Sequence, residues 1–242
     1  MPSLDKRVSS VRQAVEERRS VRPVEELERA VEELEPVRPF TEAIVGEELA
    51  FVVRVESSDD ALVEDAQEAE VSGLAASLER LSELGRRSEI PLLLTDVVVD
   101  PYQLYEARLA GAGGVVLIAA AFEGEDDHLI DLHIVATSIG LDVILEVGEE
   151  DEIAHVLEAL DPDSFLIRNR DTERGGPTDF ERTFSLLEEI PAGKFLLSQG
   201  GIRTREAAAA LERAGVDGAI VGPWAADEGL VDTLRWLRGE SR

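Results

Sequence analysis

The sequence predicts an α/β protein, a single (β/α)8 TIM barrel behind an N-terminal helical extension. Three observations carry this expectation. From residue 51 onward, short aliphatic runs alternate with longer amphipathic segments, the pattern of parallel βα units. Eight such runs in about 190 residues fit one closed barrel better than an open doubly wound sheet. No Gly-x-Gly-x-x-Gly follows the first run, where a dinucleotide-binding sheet would carry it.

The elements follow in order. Residues 4–35 alternate charged and apolar positions at helical spacing, and Pro23 divides them into two helices. The stretch ELERAVEELE is too short for the sustained heptads of a coiled coil. RPFTEAI (38–44) leads into the barrel, so the expected division is a helical extension over 1–48 and a barrel over 49–242. The predicted strands are FVVRV (51–55), SGLAAS (72–77), PLLLT (91–95), GVVLIAA (114–120), DVILEV (142–147), SFLIR (164–168), KFLLS (194–198) and GAIVG (218–222). Each is followed by a segment with one apolar face, as in REAAAALERAG (205–215), which stops at Gly215. No low-complexity linker interrupts the run.

Composition narrows the chemistry. The chain has 242 residues, 44% hydrophobic and only 5% aromatic, so the core is aliphatic. With no cysteine, disulfides, thiolate catalysis and cysteine zinc sites are excluded, which suits a reducing cytoplasm. No stretch approaches the roughly 18 apolar residues of a membrane span, and the charged N-terminus lacks a signal-peptide core. The expected location is cytoplasmic. The formal net charge of -28 repels nucleic acid and anionic membranes alike. Arginine supplies nearly all the basic residues, and the only lysines are Lys6 and Lys194. A saline cytoplasm and an acidic, arginine-rich proteome account for this balance equally well.

Barrels of this kind place chemistry at the C-terminal ends of their strands. Gly200 and Gly201 end strand seven and Gly222 ends strand eight, where small residues let backbone N–H groups approach a phosphate; the plain alternative is two tight turns. Glu146 closes strand five after four aliphatic residues. Low hydration there raises a carboxyl pKa and suits a general base or acid, unless Arg54 or Arg168 holds it in an ion pair. Arg168 and Arg170 flank Asn169 at the end of strand six and are either anion recognisers or counter-ions. His128, His133 and His155 lie in or beside helical segments, away from the strand ends, and are expected to be structural or solvated. No metal-ligand spacing and no Ser/His/Asp set converges on the mouth, so neither metal nor cofactor is expected.

DPYQLYEARLAGAGGVVLI, IGLDVILEV, the Asn169-Arg170 ending of strand six, GGI and VGP, together with the helical extension and RPFTEAI, resemble the indole-3-glycerol-phosphate synthase family. The resemblance covers nearly the whole chain. It implies a (β/α)8 lyase of tryptophan biosynthesis that closes and decarboxylates a carboxyphenylamino-deoxyribulose phosphate. The departures gather at the active site. Where the family ends strand one with Glu-Ile-Lys-Arg-x-Ser-Pro, this chain has Val52-Val53-Arg54-Val55-Glu56-Ser57-Ser58. Where the family has Arg-Lys-Asp-Phe on strand three, its lysine a general acid, this chain has Leu94-Thr95-Asp96-Val97. Arg168 replaces an asparagine, and Glu-Ser-Gly-Ile has become Gln199-Gly200-Gly201-Ile202. Glu146, Gly201 and Gly222 match in place. Only 33 residues separate Ser57 from Pro91, so the loops that cover the family's substrate are expected to be short.

Neither Lys6, in the extension, nor Lys194, at the start of strand seven, is expected to reach the mouth. Arginine keeps a positive charge but is a poor proton donor. Three functions therefore stand open. The first is a barrel that binds a phosphorylated small molecule, with a protein partner in a regulatory or assembly role, and little or no lyase activity. The second is a working synthase with Glu146, Arg54, Arg168 and Asp96 in altered roles. The third is a different reaction on a phosphorylated substrate.

Overall fold

The computed structural model describes residues 3–56, 60–170 and 177–240, with the side chain of Asp60 also left aside. Eight parallel strands close on themselves in chain order. They are β1 (Ala50–Arg54), β2 (Gly73–Ala76), β3 (Leu92–Leu94), β4 (Gly114–Ile118), β5 (Asp142–Val147), β6 (Ser164–Arg168), β7 (Phe195–Gln199) and β8 (Gly218–Val221). Each lies within one or two residues of its expected run. The largest difference is at β4, where Ala119 and Ala120 belong to a 3-10 turn, Ala119–Phe122, rather than to the strand. That turn is as apolar as the strand, so hydrophobicity alone does not mark the boundary.

Period-2 alternation sorts the strand residues. Val52, Ala75, Leu93, Val116, Ile144, Leu166, Leu197 and Ile220 point inward and pack as one buried cluster. Below them Phe40 stoppers the N-terminal end of the barrel and is fully buried. A Cβ on Gly73 would stand 2.8 Å from its ring, and one on Gly114 2.9 Å from its Cβ, so these strand starts are glycine to seat it. Asp142 at the start of β5 accepts hydrogen bonds from both N and Oγ1 of Thr41, which fixes the phenylalanine in place.

The extension is three helices, α1 (Leu4–Val21), α2 (Val24–Glu32) and α3 (Phe40–Ile44), with Pro23 capping the second. The barrel helices are α4 (Asp60–Glu68), α5 (Leu78–Leu84), α6 (Pro101–Leu109), α7 (Asp126–Ser138), α8 (Glu150–Ala159), α9 (Arg182–Leu187), α10 (Arg205–Arg213), α11 (Trp224–Asp227) and α12 (Leu230–Arg238). Helix α10 ends as its sequence predicts. Gly215 takes φ +78°, and the N–H of Val216 returns to the carbonyl of Leu211.

The connection from β3 to α6 holds the extension to the barrel. Asp100 caps α6 by accepting from Tyr102 N, with Pro101 at the first helical position. Gln103 accepts from Val99 N and donates to Val97 O, so two backbone groups of this buried stretch are satisfied without a strand partner. Arg18 of α1 grips Glu106 through two hydrogen bonds of 2.9 Å, Arg19 reaches Asp100, and Tyr102 donates its hydroxyl to Arg22 O. Arg108 donates to the carbonyls of Glu35 and Ile139. The polar residues of DPYQLYEAR are thus largely occupied in building this junction.

Candidate active site

The inward residues one step beyond the core layer form the floor of a cavity at the C-terminal end of the barrel. Arg54, Thr95, Ile118, Glu146, Arg168, Gln199 and Gly222 all line it, as strand alternation requires. Its volume is about 430 Å³, and Glu56, Arg170, Gly200, Gly201, Arg203 and Trp224 complete most of the rim. Of the expected site residues, Glu146, Arg54, Gly200, Gly201, Gly222, Arg168 and Arg170 therefore meet around one space.

Asp96 does not face that space. Its Oδ2 accepts from Leu78 N at 2.8 Å, so the carboxylate caps the first turn of α5 and lines a neighbouring groove. Thr95 stands at the cavity edge, its hydroxyl 3.4 Å from Ala76 O. Ser57 and Ser58 lie outside the described residues. Helix α5 begins one residue after β2, with Ser77 between them, so β2 carries no covering loop.

Glu146 and Arg168 form the charged centre. Arg168 Nη1 lies 3.2 Å from Glu146 Oε1, and its Nη2 lies 3.5 Å from Glu152 Oε1. The side chains of Arg168 and Glu146 are only 11% and 14% exposed, enough to weaken solvent screening. A Cβ on Gly148 would fall 2.5 Å from the Arg168 guanidinium, and the Gly148 N–H holds Glu152 Oε2 at 2.6 Å. Burial pushes the Glu146 carboxyl above the ordinary carboxylate range; Arg168 opposes the shift, Glu152 adds to it, and Arg54 and Arg7 oppose it more weakly. The ion-pair alternative for Glu146 is thus observed, and it coexists with a raised pKa because desolvation outweighs the pairing.

Asn169 is fully buried behind Arg168. It donates to Ser198 Oγ and Gly200 O and accepts from Thr183 Oγ1, tying β6, β7 and α9 together. This clasp sets the Gly200–Gly201 turn, where both residues hold left-handed φ of +104° and +83°. A Cβ on Gly201 would press on Phe180 at 3.0 Å. Arg203 stacks over Trp224 with its guanidinium 4.9 Å from the ring, joining the loops after β7 and β8.

Electrostatically the cavity opposes the rest of the molecule. Five arginines (Arg7, Arg54, Arg168, Arg170 and Arg203) and two glutamates line it, in a chain of net charge -28. No lysine lines it. Lys194 binds Asp161 at 2.8 Å beside the start of β7, at the opposite end of the barrel, and Lys6 is exposed on α1. The histidines are in helices: His128 meets Val99 O, His155 meets Asp126, and burial lowers the pKa of His133.

Sequence reasoning missed Arg7, Ile118 and Arg203 as lining residues. Counting inward positions from Val116 gives Ile118, and reading the strand-seven loop to its helix cap at Thr204 gives Arg203. Nothing local to Arg7 marks it.

A sequence model of the indole-3-glycerol phosphate synthase family matches residues 67–228. The indole-3-glycerol phosphate synthase of Acidithiobacillus ferrooxidans is 40% identical over 133 residues, 55% of this chain and 49% of that protein. The one from Lachnospira eligens is 33% identical over 151 residues, 60% of this chain and 55% of the relative. These two matches span about half the length of each relative. The synthase of Salinibacter ruber aligns more fully, at 28% identity over 92% of this chain and 89% of its own. Among solved structures, 3-hexulose-6-phosphate synthase superposes with a TM-score of 0.65 at 16% identity, over 79% of this chain and 99% of that one. A mutant tryptophan synthase alpha-subunit from Pyrococcus furiosus gives 0.61 at 12% identity, over 81% and 99%. At such identities these two likenesses speak to the barrel alone. With two thirds of its length matched by the family's own pattern, the chain belongs to the indole-3-glycerol phosphate synthase family.

Proposed function

We propose that this barrel binds a phosphorylated small molecule at its C-terminal mouth and carries out the family's ring closure and decarboxylation weakly or not at all. One observation carries the reading: every cation lining the cavity is an arginine, and Thr95 stands on the strand-three edge. Arginine attracts and orients anions but stays protonated near neutral pH, so it does not donate a proton to a reacting carbonyl. Positioned general acid catalysis is worth about 10²–10⁴-fold, and no lysine at this mouth supplies it.

The phosphate belongs at the turn of Gly200 and Gly201 and beside Gly222, with Arg203 and Arg170 supplying charge. The excess of arginine over glutamate in a strongly acidic chain supports an anionic ligand. Stabilisation by a sugar phosphate tests it: Gly222→Val should abolish the rise in Tm by crowding the Trp224 edge, 3.2 Å from the added Cβ. Arg203→Ala should weaken it in a chain with unaltered backbone. Stabilisation unchanged in both variants rejects the site.

The raised pKa of Glu146 favours a second reading, a synthase with a rearranged centre in which this carboxyl moves the proton. Any turnover found should then fall by at least about 10²-fold in Glu146→Gln; turnover unaffected by that change removes Glu146 from the chemistry. A cytoplasmic location and a protein partner for a catalytically silent barrel belong to the first reading.

A further inference from the structure

Four of the five arginines at the mouth come from the barrel itself: Arg54 at the end of β1, Arg168 and Arg170 at and after β6, and Arg203 after β7. The fifth, Arg7, comes from α1 in the N-terminal extension. It also lines the neighbouring groove, about 660 Å³, together with Leu78, Asp96 and Val97, so it stands on the side of the mouth where β2 and β3 end. Those strand ends bring Ser77 and Thr95 and no positive charge.

The other arginines of the same helix behave differently. Arg12 pairs with Glu125, Arg18 with Glu106, and Arg19 with Glu16 and Asp100; Arg22, just past the helix, pairs with Glu26. Arg7 has no side-chain hydrogen bond or ion pair among the described residues, although the chain carries more than twice as many acids as bases. Half-buried at the cavity wall, it lies close enough to Glu146 to lower that residue's pKa. The helix is in turn anchored by the doubly bonded Arg18–Glu106 pair and by Arg19–Asp100, so the placement of Arg7 is imposed by α1 docking.

We propose that Arg7 is a ligand-binding residue, supplied by the N-terminal helix, that holds an anionic group of the ligand on the strand-three side, away from the phosphate. This rests on the phosphate-binding reading above and deepens it. The anion it would hold is one beyond the phosphate, such as the carboxylate carried by the substrate that the family resemblance implies. Binding is thereby coupled to seating of α1, the element that stands over a side of the mouth where β2 has no covering loop.

The test uses the full chain and a matched pair of probes, 6-phosphogluconate and glucitol 6-phosphate, which differ by a carboxylate at the end remote from the phosphate. Binding is followed by the intrinsic tryptophan fluorescence of the chain, of whose two tryptophans Trp224 lies in the cavity wall. Arg7→Ala should weaken 6-phosphogluconate about tenfold or more, the loss of a charged hydrogen bond, and change glucitol 6-phosphate by less than about twofold. Arg7→Lys should recover part of the loss, and Arg12→Ala, exposed on the same helix, should change neither probe. Equal weakening of both probes by Arg7→Ala, no weakening of either, or an equal effect from Arg12→Ala overturns the assignment while leaving the phosphate site standing. Failure of wild type to bind either probe overturns the phosphate reading and this inference together.

Discussion

Two regions of this molecule use their polar residues in opposite ways. In the junction from Asp100 to Arg108, charged and amide side chains are committed to partners within the fold: Asp100 to Tyr102 N and Arg19, Gln103 to the Val97–Val99 backbone, Glu106 to Arg18, Arg108 to two carbonyls. At the barrel mouth, Arg7, Arg54 and Arg170 have no side-chain ion pair among the described residues and line one cavity. The junction holds the DPYQLYEAR stretch on which the family resemblance rests, and the mouth is where the sequence reading expects departures from the family. Likeness at the junction therefore reports how the extension is held, and says little about what the mouth does.

The comparison predicts a graded set of effects. Gln103→Ala breaks the junction hardest, because it strands a buried N–H and a buried carbonyl; a loss of about 2–4 kcal/mol is expected in urea unfolding. Asp100→Ala removes the α6 cap and a partner of Arg19, and should cost about 1 kcal/mol by the same measurement. A loss below about 0.5 kcal/mol in both would show that the junction does not hold the fold.

Glu146 sits between the two behaviours, being paired and yet desolvated. Its carboxyl pKa is raised in the fold, so its contribution to stability is fully present below the unfolded value and is lost as pH rises through the folded one. The stability of wild type relative to Glu146→Gln should accordingly fall as pH is raised from mildly acidic to neutral. A relative stability that grows with pH would mean that pairing with Arg168 outweighs burial. At the small end, Arg54→Ala should alter stability by less than about 0.5 kcal/mol, since its exposed side chain holds nothing in place, while weakening any anionic ligand.

The same contrast explains what could be read in the sequence. The barrel was legible because parallel strands buried on both faces leave continuous aliphatic runs, and DVILEV and SFLIR coincide with β5 and β6. The floor of the mouth was legible as far as alternation carries from each core position, which places Glu146 and Arg168 on adjacent strands. Their mutual geometry was not, because an ion pair and an open carboxylate have the same local sequence. Asp96 looked like a mouth residue from its place after β3, yet its hydrogen bond to Leu78 N depends on α5 starting directly after β2. Arg7 was invisible because its position is set by contacts such as Arg18–Glu106, distant in the chain.

We propose that the mouth keeps the charge needed to hold a phosphorylated ligand but has no lysine to serve as general acid in transforming it. The most direct test is the turnover of carboxyphenylamino-deoxyribulose phosphate to indoleglycerol phosphate, followed by the rise of indole fluorescence at saturating substrate and in added salt. With a typical kcat of about 10 s⁻¹ reduced by at least 10²-fold, the expected value is below about 0.1 s⁻¹. A kcat at or above that value contradicts the claim.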